Sequence, residues 1–318
     1  MSQVLAIDLG GTKCSAALVD RNGRIVSRRS VAVDLSSTNA PVLQIIQLAK
    51  QFAAPHPLKR AFRAAGVAVP GLVRPSGTVW APNLPGWERM PLASRLKRAL
   101  AVPVVVESDR NAAIVGESWR GAARGRSDAI VFMIGTGIGA GILSGGRVLR
   151  GAHELSGCAG WLAITEAKGA ATSGIGELEW LAAGPAIARA ARERLAASEE
   201  SSLSQIDGSS ITAHDVAAAA RKADALAVEI FRRAGTLLGY GIANMVSLLD
   251  PEVIVLGGGL AAVSDLYLDS LRSAMLERAQ PLSAAQVKVV VSRLGDKANL
   301  LGCARLAWNR AGKRGLTI

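Results

Sequence analysis

The sequence predicts an α/β protein of two related domains, each built on a mixed sheet. Three observations predict it. Residues 4–7 form a short apolar run that Asp8 ends, followed by the turn Leu9-Gly10-Gly11-Thr12-Lys13 and a second apolar run that closes at Asp20. The same strand, glycine turn and strand recur at residues 130–134, 135–141 and 142–144. The sequel repeats too: Asn22-Gly23-Arg24-Ile25 after the first unit is matched by Gly145-Gly146-Arg147-Val148 after the second. Such self-similarity marks a duplicated supersecondary unit. Between the two copies the patterns run strand, helix, strand, helix, strand, the order of a mixed α/β sheet.

The remaining elements follow in chain order. Residues 27–34 read as a third strand. Residues 41–53 place Val42, Ile45, Ile46, Leu48 and Phe52 at helical spacing. Residues 65–69 are a short strand closed by Pro70-Gly71. Residues 72–87 hold Pro75, Gly77, Pro82, Pro85 and Gly86 and read as loop. Residues 91–100 suit a helix, 102–106 a β-branched strand and 112–120 a further helix. Residues 151–176 are rich in Gly, Ala and Ser, and 176–195 are helical with a break at Gly184-Pro185. Residues 196–210 are polar and loop-like. Thr212-Ala213-His214-Asp215 resembles a capping box before a long helix at 216–235, with another helix to 249. Residues 251–256 form a buried strand entering Gly257-Gly258-Gly259. Residues 300–310 are helical, with a basic tail at Lys313 and Arg314.

Bulk properties narrow the function classes. The 318 residues suffice for two domains with sizeable cores. With 50% hydrophobic and 19% charged residues the chain is globular rather than disordered. A net charge of +12 favours acidic partners such as nucleotides and phosphorylated molecules. The excess is dispersed arginine with no long basic tract, which argues against a nucleic-acid partner. Cys14, Cys158 and Cys303 show no zinc-like spacing and are odd in number, which fits the reducing cytoplasm. No stretch reads as a signal peptide or a membrane span.

Chemistry concentrates at the glycine turns. Gly10 and Gly11 let backbone amides approach a ligand, and Thr12 and Lys13 add a hydroxyl and a cation. Together they suit a phosphate, with Asp8 turned toward magnesium through water. A lone Gly-Gly turn is equally an ordinary hairpin. The second copy, with Gly135, Thr136 and Gly137, tips the reading toward a nucleotide held between two related domains. Gly257, Gly258 and Gly259 leave room for a flat ligand such as adenine, or make a tight strand-to-helix turn. Asp109 follows a strand at the kind of carboxyl end where α/β sheets bind ligands. The residues alone leave it either a helix cap or a general base. Asn83, in the rigid loop Asn83-Leu84-Pro85-Gly86-Trp87, either meets a substrate or packs on the surface.

In this order the motifs resemble those of the ROK family (repressor, open reading frame, kinase), sugar kinases within the actin–hexokinase–Hsp70 ATPase superfamily. Asp8-Leu9-Gly10-Gly11-Thr12-Lys13 resembles the first phosphate motif, Pro70-Gly71 and Asn83-Leu84 the sugar loops, and Asp109 with Asn111-Ala112-Ala113 the catalytic segment. Residues 135–141 resemble the second phosphate motif and residues 250–259 the adenosine-side motif. The resemblance covers nearly the whole chain. It implies a two-lobed actin-like ATPase (ribonuclease H-like) fold with a mixed sheet in each lobe and a cleft between them. The small lobe would be residues 1–108, with a C-terminal helix at about 298–318 packing back on it, and the larger lobe residues 109–297. It implies phosphoryl transfer from ATP and Mg2+ to a sugar hydroxyl, Asp109 being the base. It also implies a cytoplasmic homodimer.

The departures from the family pattern are specific. Where the family writes Glu-x-Gly-His, this chain has Cys158-Ala159-Gly160-Trp161. Cys158 thus stands for a sugar-binding Glu, and Trp161 for a His that touches sugar and zinc. The family's cysteine-rich zinc loop falls near residues 170–177, which hold no cysteine, so no zinc site is expected. Ser108 replaces the usual Asn before the catalytic Asp. Glu179 fits a later sugar-contacting Glu, and Gly71 and Asn83 complete the substrate set. The expectation is a hexose or amino-sugar kinase with specificity altered from glucose. Its rivals are a catalytically inactive sugar- or nucleotide-sensing regulator and a kinase of a cyclitol-like polyol. A DNA-binding repressor is disfavoured, since little chain precedes Asp8.

Overall fold

A computed structural model describes residues 2–54, 57–165 and 174–312. The chain divides into two compact units. The first comprises Met1–Ser127, Gly141–Ser156 and Asp296–Ile318, and the second Asp128–Ala140 and Gly157–Gly295.

The first unit is built on β1 (Gln3–Leu9), β2 (Lys13–Asp20), β3 (Ile25–Ala32), β4 (Ala65–Val69) and β7 (Val104–Ser108), in the order β3-β2-β1-β4-β7. β1 and β2 pair antiparallel with Asp8 opposite Ser15, and β1, β4 and β7 run parallel. Strand alternation sorts the side chains of β1. Leu5, Ile7 and Leu9 enter a core with Val42, Ile45 and Leu48 of helix Ala40–Ala53 and Leu96 of helix Leu92–Leu100. The intervening Val4 and Ala6 are buried as well, and helix Ala298–Ala311 packs against both β1 and β4.

That C-terminal helix is seated closely because glycines face backbone. A Cβ on Gly66 of β4 would lie 2.0 Å from the Cys303 carbonyl oxygen. One on Gly302 would lie 1.8 Å from the Ala112 carbonyl oxygen, and one on Gly116 2.1 Å from that of Ala298. Helix Asp109–Arg120 is thereby bound to the C-terminal helix, within the first unit. This differs from a boundary at residue 108: residues 109–127 belong to the first unit, where Gly116 and Gly302 seat helix Asp109–Arg120 on the C-terminal helix.

The second sheet contains β8 (Ala129–Ile134), β9 (Ile138–Ser144), β10 (Arg147–Val148), β11 (Val253–Gly257) and β12 (Lys288–Val291), in the order β10-β9-β8-β11-β12. β9 carries the chain from the second unit into the first, and β8, β11 and β12 run parallel. Its order has the pattern of the first sheet: hairpin strands on one flank of the initial strand, parallel strands on the other. The repeat read from two glycine turns is a repeat of topology.

Several elements differ from expectation. Residues 72–87 contain a small hairpin of β5 (Leu72–Val73) and β6 (Val79–Trp80), whose two-residue strands are too short to show periodicity. The capping box forms as expected at Thr212 and Asp215, but its helix is only Ala213–Ala220. Ala223 takes φ 62°, and Asp224 caps a new helix, Ala225–Leu249, by accepting from the Ala227 N–H at 3.1 Å. An alanine run conceals such a break, since Ala is compatible with either course. The helices Leu268–Arg278 and Pro281–Gln286 and strand β12 carried no clear signal in the sequence. The basic tail at Lys313 and Arg314 lies outside the described residues. Among the described residues, no helix is long and apolar enough to cross a membrane.

The glycine seating is testable by sign. In an exposed helix, Gly to Ala stabilises by about 1 kcal/mol. Gly302→Ala should instead lower stability by about 1–3 kcal/mol or more, through overpacking against backbone. Urea unfolding reads it, and an unchanged or raised midpoint contradicts the seating.

Candidate active site

In the first unit the site begins where β1 ends. The Gly10 N–H donates to the Lys13 carbonyl at 2.8 Å and closes the β1–β2 turn. That amide, expected to face phosphate, is spent on the turn itself. Gly11 and Thr12 lie exposed at the apex, and a Cβ on Gly11 would meet nothing within 4 Å. Their amides have no partner among the described residues, so the turn offers them, with the half-exposed Lys13, to an anion. Lys13 is 3.9 Å from Asp296, which also pairs with both terminal nitrogens of Arg28 at 3.1 and 2.5 Å. The Arg28 hydrogen bonds hold the Asp296 carboxyl below the ordinary carboxylate range.

Asp8 sits beneath this turn. Its Oδ1 accepts from Asn299 Nδ2 at 3.1 Å, in the first turn of the C-terminal helix. Burial pushes its carboxyl up from 3.8 to about 6, the Asn299 bond pulls it down, and the charge of Asp109 raises it again. Asn299 Oδ1 is buried and has no partner among the described residues. A carboxylate with raised pKa beside an orphaned carbonyl oxygen fits a hard cation that takes oxygen ligands. Asp8 with Asn299 would therefore hold Mg2+, directly or through water. Asn299, Asp296 and Arg28 were not legible as site residues.

Asp109 opens helix Asp109–Arg120, but it is not the cap. Ser108, buried at the end of β7, is the N-cap, its Oγ accepting from the Asn111 N–H at 3.4 Å. Ser108 thereby leaves the Asp109 carboxylate partly free. Asp109 Oδ1 accepts from the Arg110 N–H at 2.8 Å, and burial raises its pKa against that bond. Below it, buried Glu107 accepts from the Ser108 N–H at 2.9 Å and from Asn111 Nδ2 at 3.0 Å through one oxygen. Its other oxygen accepts from Arg150 at 2.6 Å. Arg110 holds the segment after β10, donating to the carbonyls of Ser156 and Glu154 at 3.1 and 3.2 Å.

The two sugar-loop residues of this unit differ in role. Gly71 has φ 116°, and a Cβ there would lie 2.2 Å from the Trp80 carbonyl oxygen, so the position requires glycine. Asn83 is exposed on a loop pinned by buried Leu84 and Trp87, the Trp87 indole donating to the Thr38 carbonyl at 2.9 Å.

The second unit carries the other turn. The Gly135 N–H donates to the Gly137 carbonyl at 3.0 Å, the counterpart of the Gly10 bond, while its carbonyl accepts from the Gly184 N–H at 2.8 Å. The turn proper is Gly135-Thr136-Gly137, shorter than the residues 135–141 read as turn, because β9 begins at Ile138. Gly135 and Thr136 line a cavity of about 250 Å³ with Pro185, His214, Gly259 and Leu260. Gly258 takes φ 83°, where a Cβ would lie 2.3 Å from the Ile134 carbonyl oxygen, so the strand-to-helix turn packs on β8. Gly257 ends β11 beneath it. His214 was absorbed into the capping-box reading and missed as a lining residue.

Glu179 supports the turn: its Oε2 accepts from the Ile138 N–H at 2.8 Å and lies 2.8 Å from where a Gly137 Cβ would be. Cys158 caps the single helical turn Ala159–Trp161, the Trp161 N–H donating to the Cys158 carbonyl at 3.0 Å. Trp161 is 65% exposed, a large apolar face turned to solvent. No cluster of three or more His, Cys, Asp or Glu that could hold a metal occurs among the described residues. Residues 170–173 of the expected zinc-loop position lie outside them. Burial pushes the Cys14 thiol up to about 12, as befits a packed core residue rather than a ligand.

Duplicated mixed sheets, each with a glycine turn after its initial strand, define the class of α/β protein to which the chain belongs. The chain belongs to the ROK family, whose model matches residues 4–310. It is 30% identical over 305 residues to a glucokinase of Halalkalibacterium halodurans, covering 94% of this chain and 92% of that one. It is also 30% identical over 309 residues to a putative xylose repressor of a Caldicellulosiruptor species, covering 95% of this chain and 77% of that one. Among solved structures, it resembles a ROK family glucokinase from Streptomyces griseus in complex with glucose and AMPPNP. That match has a TM-score of 0.83 and 31% identity, and covers 97% of this chain and 100% of the other. The fold is thus the actin-like ATPase fold.

Asp8 gives a pH-dependent prediction. An acid whose pKa rises from 3.8 to about 6 on folding binds a proton more readily when folded, so its charge destabilises the ligand-free protein above that window. The penalty, at most about 3 kcal/mol, is relieved as pH falls from 6 toward 4. Asp8→Asn should therefore raise the unfolding free energy relative to wild type more at pH 7 than at pH 4, by up to about 3 kcal/mol. Equal pH dependence in both proteins contradicts the raised value.

Proposed function

We propose that this chain is an ATP-dependent sugar kinase, transferring the terminal phosphoryl group of ATP to a hydroxyl of a hexose or amino sugar. The observation that carries the reading is Asp109. It is a carboxylate at the end of β7 whose capping duty Ser108 has taken over, whose pKa burial raises, and whose charge reaches Asp8. A raised pKa makes a carboxylate a better proton acceptor near neutral pH. Asp109 orients the acceptor hydroxyl and takes its proton as the new P–O bond forms. Phosphoryl transfer demands little covalent chemistry of a protein, and positioning and charge supply most of the rate.

The exposed amides of Gly11 and Thr12, with Lys13, suit phosphate oxygens, and the exposed Thr136 and Gly137 give the second unit a turn of the same kind. Asn299 keeps the Asp8 carboxylate aimed. Mg2+, when bound, neutralises charge on the phosphates. The cavity beside Gly135, Thr136, His214 and Gly259 takes the base end of the nucleotide. At about 250 Å³ it is just below the ~300–1,000 Å³ of whole-ligand pockets and suits part of a ligand.

The acceptor end carries the family's departures. Cys158 and Trp161 replace a carboxylate and an imidazole, so two polar sugar contacts are lost. The exposed Trp161 ring offers a face for stacking on the apolar side of a sugar. Specificity altered from glucose follows, with a cyclitol-like polyol as the alternative acceptor. By resemblance we also propose a cytoplasmic homodimer. The rival reading, a sensor without catalysis, is favoured by the same two substitutions and by the likeness to a repressor.

Asp109→Ala separates the two. If Asp109 is the base, the variant should lose about 10²–10⁴-fold in acceptor-dependent ATP consumption while still binding AMPPNP. Turnover at the wild-type rate in that variant would refute the assignment.

A further inference from the structure

A second cavity in the first unit is not used by this reading. It measures about 670 Å³ and is lined by Arg74, Lys97, Arg150 and Arg310 against two carboxylates, Glu107 and Glu154. Both carboxylates are committed to Arg150, Glu107 at 2.6 Å and Glu154 at 3.9 Å. Arg74, Lys97 and Arg310 have no carboxylate partner among the described residues. Three uncompensated cations facing one hollow create a positive potential that draws a multiply charged anion. The floor is apolar, formed by Val104 and Val106 of β7 and by Leu306 of the C-terminal helix.

We propose that this cavity binds a small phosphate monoester, the phosphate meeting Arg74, Lys97 and Arg310 and the organic body lying on β7 and Leu306. The volume lies within the ~300–1,000 Å³ range of small-molecule sites. Guanidinium and ammonium groups are the side chains that recognise phosphate, Arg by paired donors and Lys as a point charge. The site is separate from the phosphate turn at Gly11 and Lys13, whose residues do not line it. It touches the catalytic segment through one link. Glu107 accepts from Arg150 on the cavity side, and from the Ser108 N–H and Asn111 next to Asp109. Arg150 is therefore left unsubstituted in the test.

The test is calorimetric titration of the full chain with phenyl phosphate, an aryl monoester, and with phenol as its uncharged counterpart. Phenyl phosphate should bind in the submillimolar range and phenol should not. The exposed pair Arg74→Ala/Lys97→Ala should weaken binding by at least about tenfold, since hydrogen bonds to charged groups contribute roughly that much each. The single reversal Lys97→Glu should do the same, guarding against a folding defect in the pair. Lys13→Ala should leave binding intact. No binding at millimolar phenyl phosphate would overturn the proposal. So would equal affinity in the wild type and both cavity variants, which would place the ligand elsewhere. Neither result depends on kinase activity.

Discussion

The seating of helix Ala298–Ala311 on Gly66 and Gly116, with its own Gly302 against helix Asp109–Arg120, is the contact on which the first half of the site depends. It is made by backbone against backbone, so it admits little adjustment. It fixes where Asn299 emerges, and hence the orientation of Asp8. It fixes helix Asp109–Arg120 against the first sheet, and hence the position of Asp109 relative to Asp8. A chain segment near residue 300 thus sets the electrostatics of a turn near residue 10. Cys303 adds to the same seam, its thiol donating to the Ile7 carbonyl at 3.2 Å.

The duplicated turns share a constraint and differ in their supports. Each spends its first glycine amide on closing itself, which leaves the next two amides at the apex. In the first copy the support is a charge network in which half-exposed Lys13 and Asp296 meet the more buried Arg28. In the second it is the Glu179 carboxylate, held by the Ile138 N–H and standing where a Gly137 side chain would be. Glu179 was expected to meet sugar. One of its oxygens is occupied with shaping the turn, so a sugar would share the carboxylate rather than own it.

Much of this was legible because it is local. Apolar strands flanking glycine turns announce themselves within twenty residues, and the repeat of Asn22-Gly23-Arg24 in Gly145-Gly146-Arg147 disclosed the duplicated topology. Asp109 was legible as a site residue only through its position after a strand and the family pattern. That Ser108 is the cap depends on one hydrogen bond that residue types do not distinguish. Asn299, Arg28 and Asp296 were illegible for the opposite reason. Their roles arise from contacts across nearly the whole chain, and each alone reads as an ordinary polar residue at an element's edge. His214 was obscured by a correct local reading, since a capping-box residue is not thereby excluded from lining a cavity. Residues 260–299 carried no recognisable pattern, being short helices with weak amphipathicity and one four-residue strand.

The central claim is that the two glycine turns and Asp109 serve phosphoryl transfer to a sugar. The most direct measurement is ATP consumption by the purified chain with Mg2+ across a panel of hexoses, amino sugars, N-acetylated sugars and cyclitols. The account predicts turnover that depends on one class of acceptor, with glucose not the preferred one. AMPPNP binding together with no acceptor-dependent turnover anywhere in the panel would contradict it, and would identify Cys158 and Trp161 as the place where a sugar site was lost.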